Sequence, residues 1–141
     1  CHTSVTLRPQ RRLLIAPNVS AKSELKDKPM ELIERTAANG TLVIECRGDN
    51  LDASNVRDFR ESMKRLMKDH PHVVLDMSSM KFVDSSGLGA LIACLRDANS
   101  RKGDLRLCAM ARPVRALFEL MRMHRVFCIH ETTEAAIASF N

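Results

Sequence analysis

The chain contains neither tryptophan nor tyrosine, and five phenylalanines complete its large aromatics in 141 residues. A core must therefore be built from Leu, Val, Ile, Met and Ala. The same scarcity weighs against a single-stranded nucleic-acid surface, which stacks bases on aromatic platforms. Long apolar runs are missing too, since no stretch nears the roughly 20 residues of a membrane-crossing helix. The run at Leu13–Pro17 is too short for the apolar region of a signal peptide. A cytoplasmic protein without a membrane span is expected.

Paired cysteines are also lacking. Cys1, Cys46, Cys94, Cys108 and Cys128 show no Cys-x-x-Cys or Cys/His ligand spacing, so neither a metal nor another cofactor is expected. The last four sit in apolar runs and read as small buried hydrophobes in a reducing compartment.

The net charge of +5 divides unevenly. Residues 1–29 hold six Lys/Arg against two Asp/Glu, while residues 30–141 hold sixteen against fifteen. The near-neutral second part shows no concentrated basic face, so direct nucleic-acid binding is not expected. The first part, with Pro9, Pro17, Arg11-Arg12 and a Lys-rich run from Lys22 to Lys28, has no sustained periodicity. It reads as a basic, disordered tail upstream of a domain whose own start is Met30. The functional alternative is a basic arm that docks on an acidic partner.

From Met30 the punctuation is regular. Met30–Thr36 and Thr41–Arg47 are strand-like, and Asn39-Gly40 between them is a hairpin signal. Ser54 suits the N-cap of a helix running to about Asp69, with Val56, Phe59, Met63, Leu66 and Met67 on its inner face. His72–Asp76 reads as a strand buried on both faces. A helix then follows the Asp84–Gly87 turn, with Leu88, Leu91, Ile92 and Leu95 on one stripe and Gly103 at its end. Leu105–Ala109 is a strand. Pro113 opens a third helix with the stripe Val114, Leu117, Phe118 and Met121. Val126–His130 is predicted as the last strand and Thr133–Phe140 as a closing helix. The order predicts an α/β fold with a mostly parallel sheet of about five strands, one antiparallel edge strand and four helices.

Lys81 to Gly89 is the most informative segment, a short apolar strand running into Asp84-Ser85-Ser86-Gly87. In open α/β sheets, function gathers where strands end and helices begin. A helix N-terminus can also hold an anion. Asp, Ser and Gly are equally common as plain caps and turn formers. Asp84 could orient a hydroxyl, help organise a metal, or only cap.

The wider pattern carries a resemblance. Val73-Val74-Leu75-Asp76, then Phe82-Val83-Asp84-Ser85-Ser86-Gly87-Leu88-Gly89, closely resembles the STAS domain of bacterial anti-sigma factor antagonists. The similarity continues through Gly48…Leu51-Asp52, Leu105-Arg106-Leu107-Cys108 and Pro113-Val114-Arg115-Ala116-Leu117-Phe118, covering about 110 residues from Met30. It implies a STAS fold and a non-catalytic partner-switching protein. Such a protein binds an anti-sigma factor that is usually a serine kinase, is phosphorylated at the position of Ser85, and is reset by a metal-dependent serine phosphatase. Asp52, Asp84, Ser86, Gly87, Leu88 and Gly89 are the implied partner-binding residues, with Gly87 and Gly89 leaving the backbone open to close approach. A monomer or weak dimer is expected. An extra residue at Asp49-Asn50 departs from the family pattern near Asp52.

Two other readings remain. One is a STAS accessory or scaffold subunit of a lipid transporter or signalling assembly, although such domains often alter the Asp-Ser-Ser-Gly turn. The other is a serine hydrolase with Ser85 as nucleophile and His70, His72, His124 or His130 as base. Gly-x-Ser-x-Gly is absent, and His70 and His72 fall at the opposite end of the central strand. No phosphate-binding Gly-x-x-x-x-Gly-Lys pattern occurs. The methionines read as core filler, with Met80 and Met110 as candidates for an adaptable contact surface.

Overall fold

The computed structural model describes residues 11–15 and 30–141. Its main sheet has six strands: β1 (Arg11–Ile15), β2 (Met30–Thr36), β3 (Leu42–Arg47), β5 (His72–Asp76), β7 (Asp104–Cys108) and β8 (Ile129–His130), side by side in that order. A separate pair joins β4 (Asn50–Leu51) to β6 (Phe82–Val83). The helices are α1 (Val56–Met67), α2 (Ser85–Ser100), α3 (Arg112–Leu120) and α4 (Thr133–Ala138).

The five expected strands are present, with β2 and β3 antiparallel and β3, β5, β7 and β8 parallel. The β2–β3 turn forms as its sequence requires. Gly40 takes φ +88°, Ala37 N–H donates to Thr41 O at 2.8 Å, and Asn39 Oδ1 accepts from Thr41 N. One correction concerns the expected tail. Arg11–Ile15 is a strand, antiparallel to β2 from Arg11↔Glu34 to Ile15↔Met30, so β2 is not the sheet's edge. The rest of the expected tail, residues 1–10 and 16–29, lies outside the described residues.

Alternation along each strand sorts the side chains between two faces. Leu42, Ile44, Cys46, Val73, Leu75, Leu105 and Leu107 join Phe59, Met63 and Met67 of α1, Leu88, Leu91 and Leu95 of α2, and Val114 and Phe118 of α3 in the main core. Burying each large side chain of this kind contributes about 1.5–3 kcal/mol. The opposite face carries Val43, Val74 and Cys108 under Ala136 of α4. The chain end is fastened there by His72 stacked on Phe140 at 4.5 Å, by the Arg106 guanidinium 4.2 Å from the same ring, and by Arg106 donating to Ser139 O at 2.8 Å.

Local chemistry shifts several predicted boundaries. Asn55, not Ser54, precedes α1; its Oδ1 accepts from Asp52 N while Ser54 donates from N and Oγ to Asp52 Oδ1. The end of α2 is a Schellman closure, in which Gly103 N donates to Ala98 O and Lys102 N to Asn99 O. The left-handed residue is Lys102, at φ +63°. Gly103 is required for another reason, because a Cβ there would overlap the Pro71 carbonyl. Arg122, at φ +60°, turns the chain after α3 into a 3-10 turn (Met123–Arg125), which leaves Met121 48% and Val126 46% exposed. Met121 is thus no core residue, and the last strand shrinks to Ile129–His130. Cys46, Cys94 and Cys108 are buried as expected, but Cys128 is exposed.

Candidate functional site

The junction of β6 and α2 is built from alternation and a cap. Val83 is buried and fixes the end of β6 in the core. Asp84 then takes extended dihedrals (φ −95°, ψ −174°), and its Oδ1 accepts from Gly87 N at 2.9 Å. Leu88 N–H donates to Asp84 O at 2.9 Å, which starts the helix. Of the three roles open to Asp84, capping is the one its geometry displays. Ser85 is the first residue of α2 and is exposed, with Ser86 half-buried behind it.

A second segment braces this turn. Asp49 O accepts from Lys81 N at 2.7 Å and from Phe82 N at 3.1 Å, and Leu51 O accepts from Asp84 N at 3.2 Å. Parallel pairing of Asn50 with Phe82 and of Leu51 with Val83 completes the brace. Asp49 and Asn50, where the resemblance implied an extra residue, both take part in this brace. Asp52 follows directly, so the fold brings it to the same end of the helical layer as Ser85. Its carboxylate holds its own loop, accepting from Ser54 N at 3.0 Å and meeting Asn50 Nδ2 at 3.5 Å. Asp52 and Asp84 stand at the starts of α1 and α2, where the positive end of each helix dipole favours a carboxylate.

Two implied partner-binding residues face inward. Gly87 is buried because a Cβ there would overlap both Leu51 O and Val83 Cγ1, so it allows α2 to pack against β4 and β6. Leu88 is 6% exposed and belongs to the core. Gly89 differs: it is exposed, with nothing within 4 Å of its Cβ position. Ser85 and Gly89 lie four residues apart, on one outward stripe of α2. Met80 is buried, and Met110 packs half-buried against the core, so Met80 offers no contact surface.

The residue that sequence reasoning passed over is Phe82, which is 53% exposed. Phe82 and Val83 are both apolar, and a two-residue strand is too short for the sequence to show which of them points outward.

Among the described residues, no histidine hydrogen-bonds to the Ser85 hydroxyl. His70 and His72 lie at the far end of β5, and His72 is stacked on Phe140. The hydrolase reading gains no support from this arrangement. A pocket of about 470 Å³ between α1 and α2 is lined by Glu61, Lys64, Arg65, Lys68, Asp97 and Arg101. It sits at the last turns of the helices, away from Ser85, and gathers cations that the sequence reading had left dispersed. Among the described residues, no group of three or more His, Cys, Asp and Glu could hold a metal ion, and no helix is long and apolar enough to cross a membrane.

The site is thus an exposed serine on a capped helix start, braced by a short neighbouring strand beside a mixed, mostly parallel sheet. The STAS domain family matches residues 33–136, and the chain belongs to that family. Within it, the anti-sigma F factor antagonist of Paenibacillus polymyxa is 26% identical over 108 residues, covering 74% of this chain and 91% of that protein. The fold is similar to that of the Bacillus cell fate determinant SpoIIAA in its phosphorylated form, with a TM-score of 0.58 and 20% identity, covering 78% of this chain and 99% of that one. It is also similar to part of the murine Solute Carrier 26 family member A9 anion transporter, with a TM-score of 0.64 and 16% identity, covering 93% of this chain and 22% of that one.

Proposed function

We propose that this protein is an anti-sigma factor antagonist of the bacterial cytoplasm, a binding module without catalysis of its own. In its unphosphorylated form it binds an anti-sigma factor that is also a serine kinase, which frees a sigma factor. The kinase phosphorylates Ser85 and ends the binding, and a metal-dependent serine phosphatase restores it. The observation that carries this reading is the placement of Ser85, an exposed hydroxyl at the first position of a helix whose cap and brace fix the backbone.

Phosphorylation adds about −1.5 to −2 charges beside Asp84. In a closed interface this brings like-charge repulsion and a desolvation penalty. A loss of about 3 to 4 kcal/mol changes occupancy a few hundredfold, which is enough for a switch. Asp52, Asp84, Ser86 and Gly89 frame the hydroxyl, while Gly87 and Leu88 support it from within. Incubation with ATP and the cognate kinase, followed by mass spectrometry, tests the reading. Phosphate on Ser85 is expected, and its absence from Ser85 would count against the switch. The transporter likeness concerns the fold alone; a transporter or scaffold subunit recovered on a Ser85→Ala bait would favour that second reading.

A further inference from the structure

Four of the five phenylalanines are committed inside the fold. Phe59 and Phe118 are 0% exposed and Phe127 is 3% exposed. Phe140 is half-buried against His72 and Arg106. Phe82 alone stands out, at 53% exposed.

Its exposure is not that of a fraying loop. The N–H groups of Lys81 and Phe82 share the carbonyl of Asp49, and the strand pairing of Phe82 with Asn50 holds the backbone from the side. Val83 on one side and Met80 on the other are fully buried, so both ends of the segment are pinned. A rigid backbone thus presents an aromatic ring to solvent, which lowers the ordering cost of any contact made there. Aromatic anchors of this kind are over-represented among the few residues that carry most of an interface's energy.

Position selects the occupant. Phe82 lies three residues before Ser85, so their Cα atoms are separated by at most about 11 Å of chain. A stable protein interface covers about 800 Å² on each partner. A surface that closes over Ser85 therefore also reaches Phe82.

We infer that Phe82 is the apolar anchor of the docking surface, and that its occupant is a protein partner carrying an apolar pocket beside its Ser85 contact. This rests on the docking reading given above and divides the work within it. Phe82 supplies affinity, and Ser85 supplies the sign of the switch.

The test measures the dissociation constant of the purified cognate anti-sigma factor for the full chain and for the variants Phe82→Ala, Phe82→Leu and Ser85→Asp. Phe82→Ala should weaken binding at least ~30-fold, the scale of an interface hot spot, and Phe82→Leu should recover part of that loss. Thermal melting of both Phe82 variants should fall by only a few degrees, because about half of the residue already faces water. Wild-type affinity in Phe82→Ala overturns the anchor; if Ser85→Asp still weakens binding, the switch reading survives. Loss of binding in Phe82→Ala with unchanged binding by Ser85→Asp supports the anchor and overturns the charge switch. If Phe82→Ala folds poorly, a fluorine-labelled phenylalanine at position 82 should shift its resonance on partner binding, and an unmoved resonance overturns the anchor. Self-association of the parent that Phe82→Ala abolishes would assign the ring to a second copy of the chain and overturn the proposal.

Discussion

Gly87 packs directly beneath the carbonyl oxygen of Leu51, leaving no room for even a methyl group between them. The same oxygen accepts the N–H of Asp84. One carbonyl therefore ties β4 to the cap of α2 and fixes the first turn on which Ser85 stands.

Two glycines two residues apart should respond oppositely to alanine. Gly87→Ala forces the helix off its brace and should cost about 1–3 kcal/mol or more. Gly89→Ala enters open space and should stabilise the protein by up to about 1 kcal/mol. If Gly89 lies under a partner, the same methyl should weaken binding. Denaturant unfolding and a partner titration on both variants check this, and equal stability losses would contradict it.

Asp84→Ala should lose about 1 kcal/mol with its cap, whereas Asp84→Asn keeps an acceptor for Gly87 N and most of that stability. Phosphorylation rates measured on the pair separate the roles. A rate retained in Asp84→Asn fits a capping residue; a stable Asp84→Asn that is phosphorylated far more slowly points to a direct role toward the kinase.

Burial pushes the thiol of Cys94 up to about 12 and that of Cys108 up to about 11, from an ordinary 9.0. Between pH 9 and 12 the folded chain therefore holds protons that the unfolded chain has released. Their contribution is complete below pH 9 and falls as pH rises through the folded values. Urea unfolding from pH 8 to 11 should show declining stability, and the Cys94→Ala/Cys108→Ala variant should show a shallower decline.

The same burial sets thiol reactivity. Cys128 is exposed, while Cys46, Cys94 and Cys108 are enclosed. A thiol reagent at pH 8 should modify Cys128 in the native protein and reach Cys46, Cys94 and Cys108 only on unfolding. Prompt native-state labelling of Cys94 would show that the α2 packing opens.

Much of this fold was legible because its signals are local. Asn39-Gly40 specified a hairpin, the stripes of α1 and α2 repeated at helical spacing, and the Asp84–Gly87 turn marked the start of a helix. What escaped depends on pairing at a distance. β4 and β6 are two residues each, too short for periodicity, and meet only once the intervening helix and strand are placed. The strand at Arg11–Ile15 likewise needs β2 beside it to be defined. Arg122 turns left-handed without a glycine to mark it, so Met121 and Val126 were misplaced. At the site, the serine was visible in the motif. The inward roles of Gly87 and Leu88 and the outward ring of Phe82 needed the brace before they could be told apart.

The most direct test of the central claim is the affinity of one preparation for its purified anti-sigma factor before and after stoichiometric phosphorylation by the kinase. With Ser85 mapped as the modified residue, a fall of a few hundredfold is expected, and phosphatase treatment should restore the original value. Unchanged affinity with phosphate on Ser85 would contradict the switch.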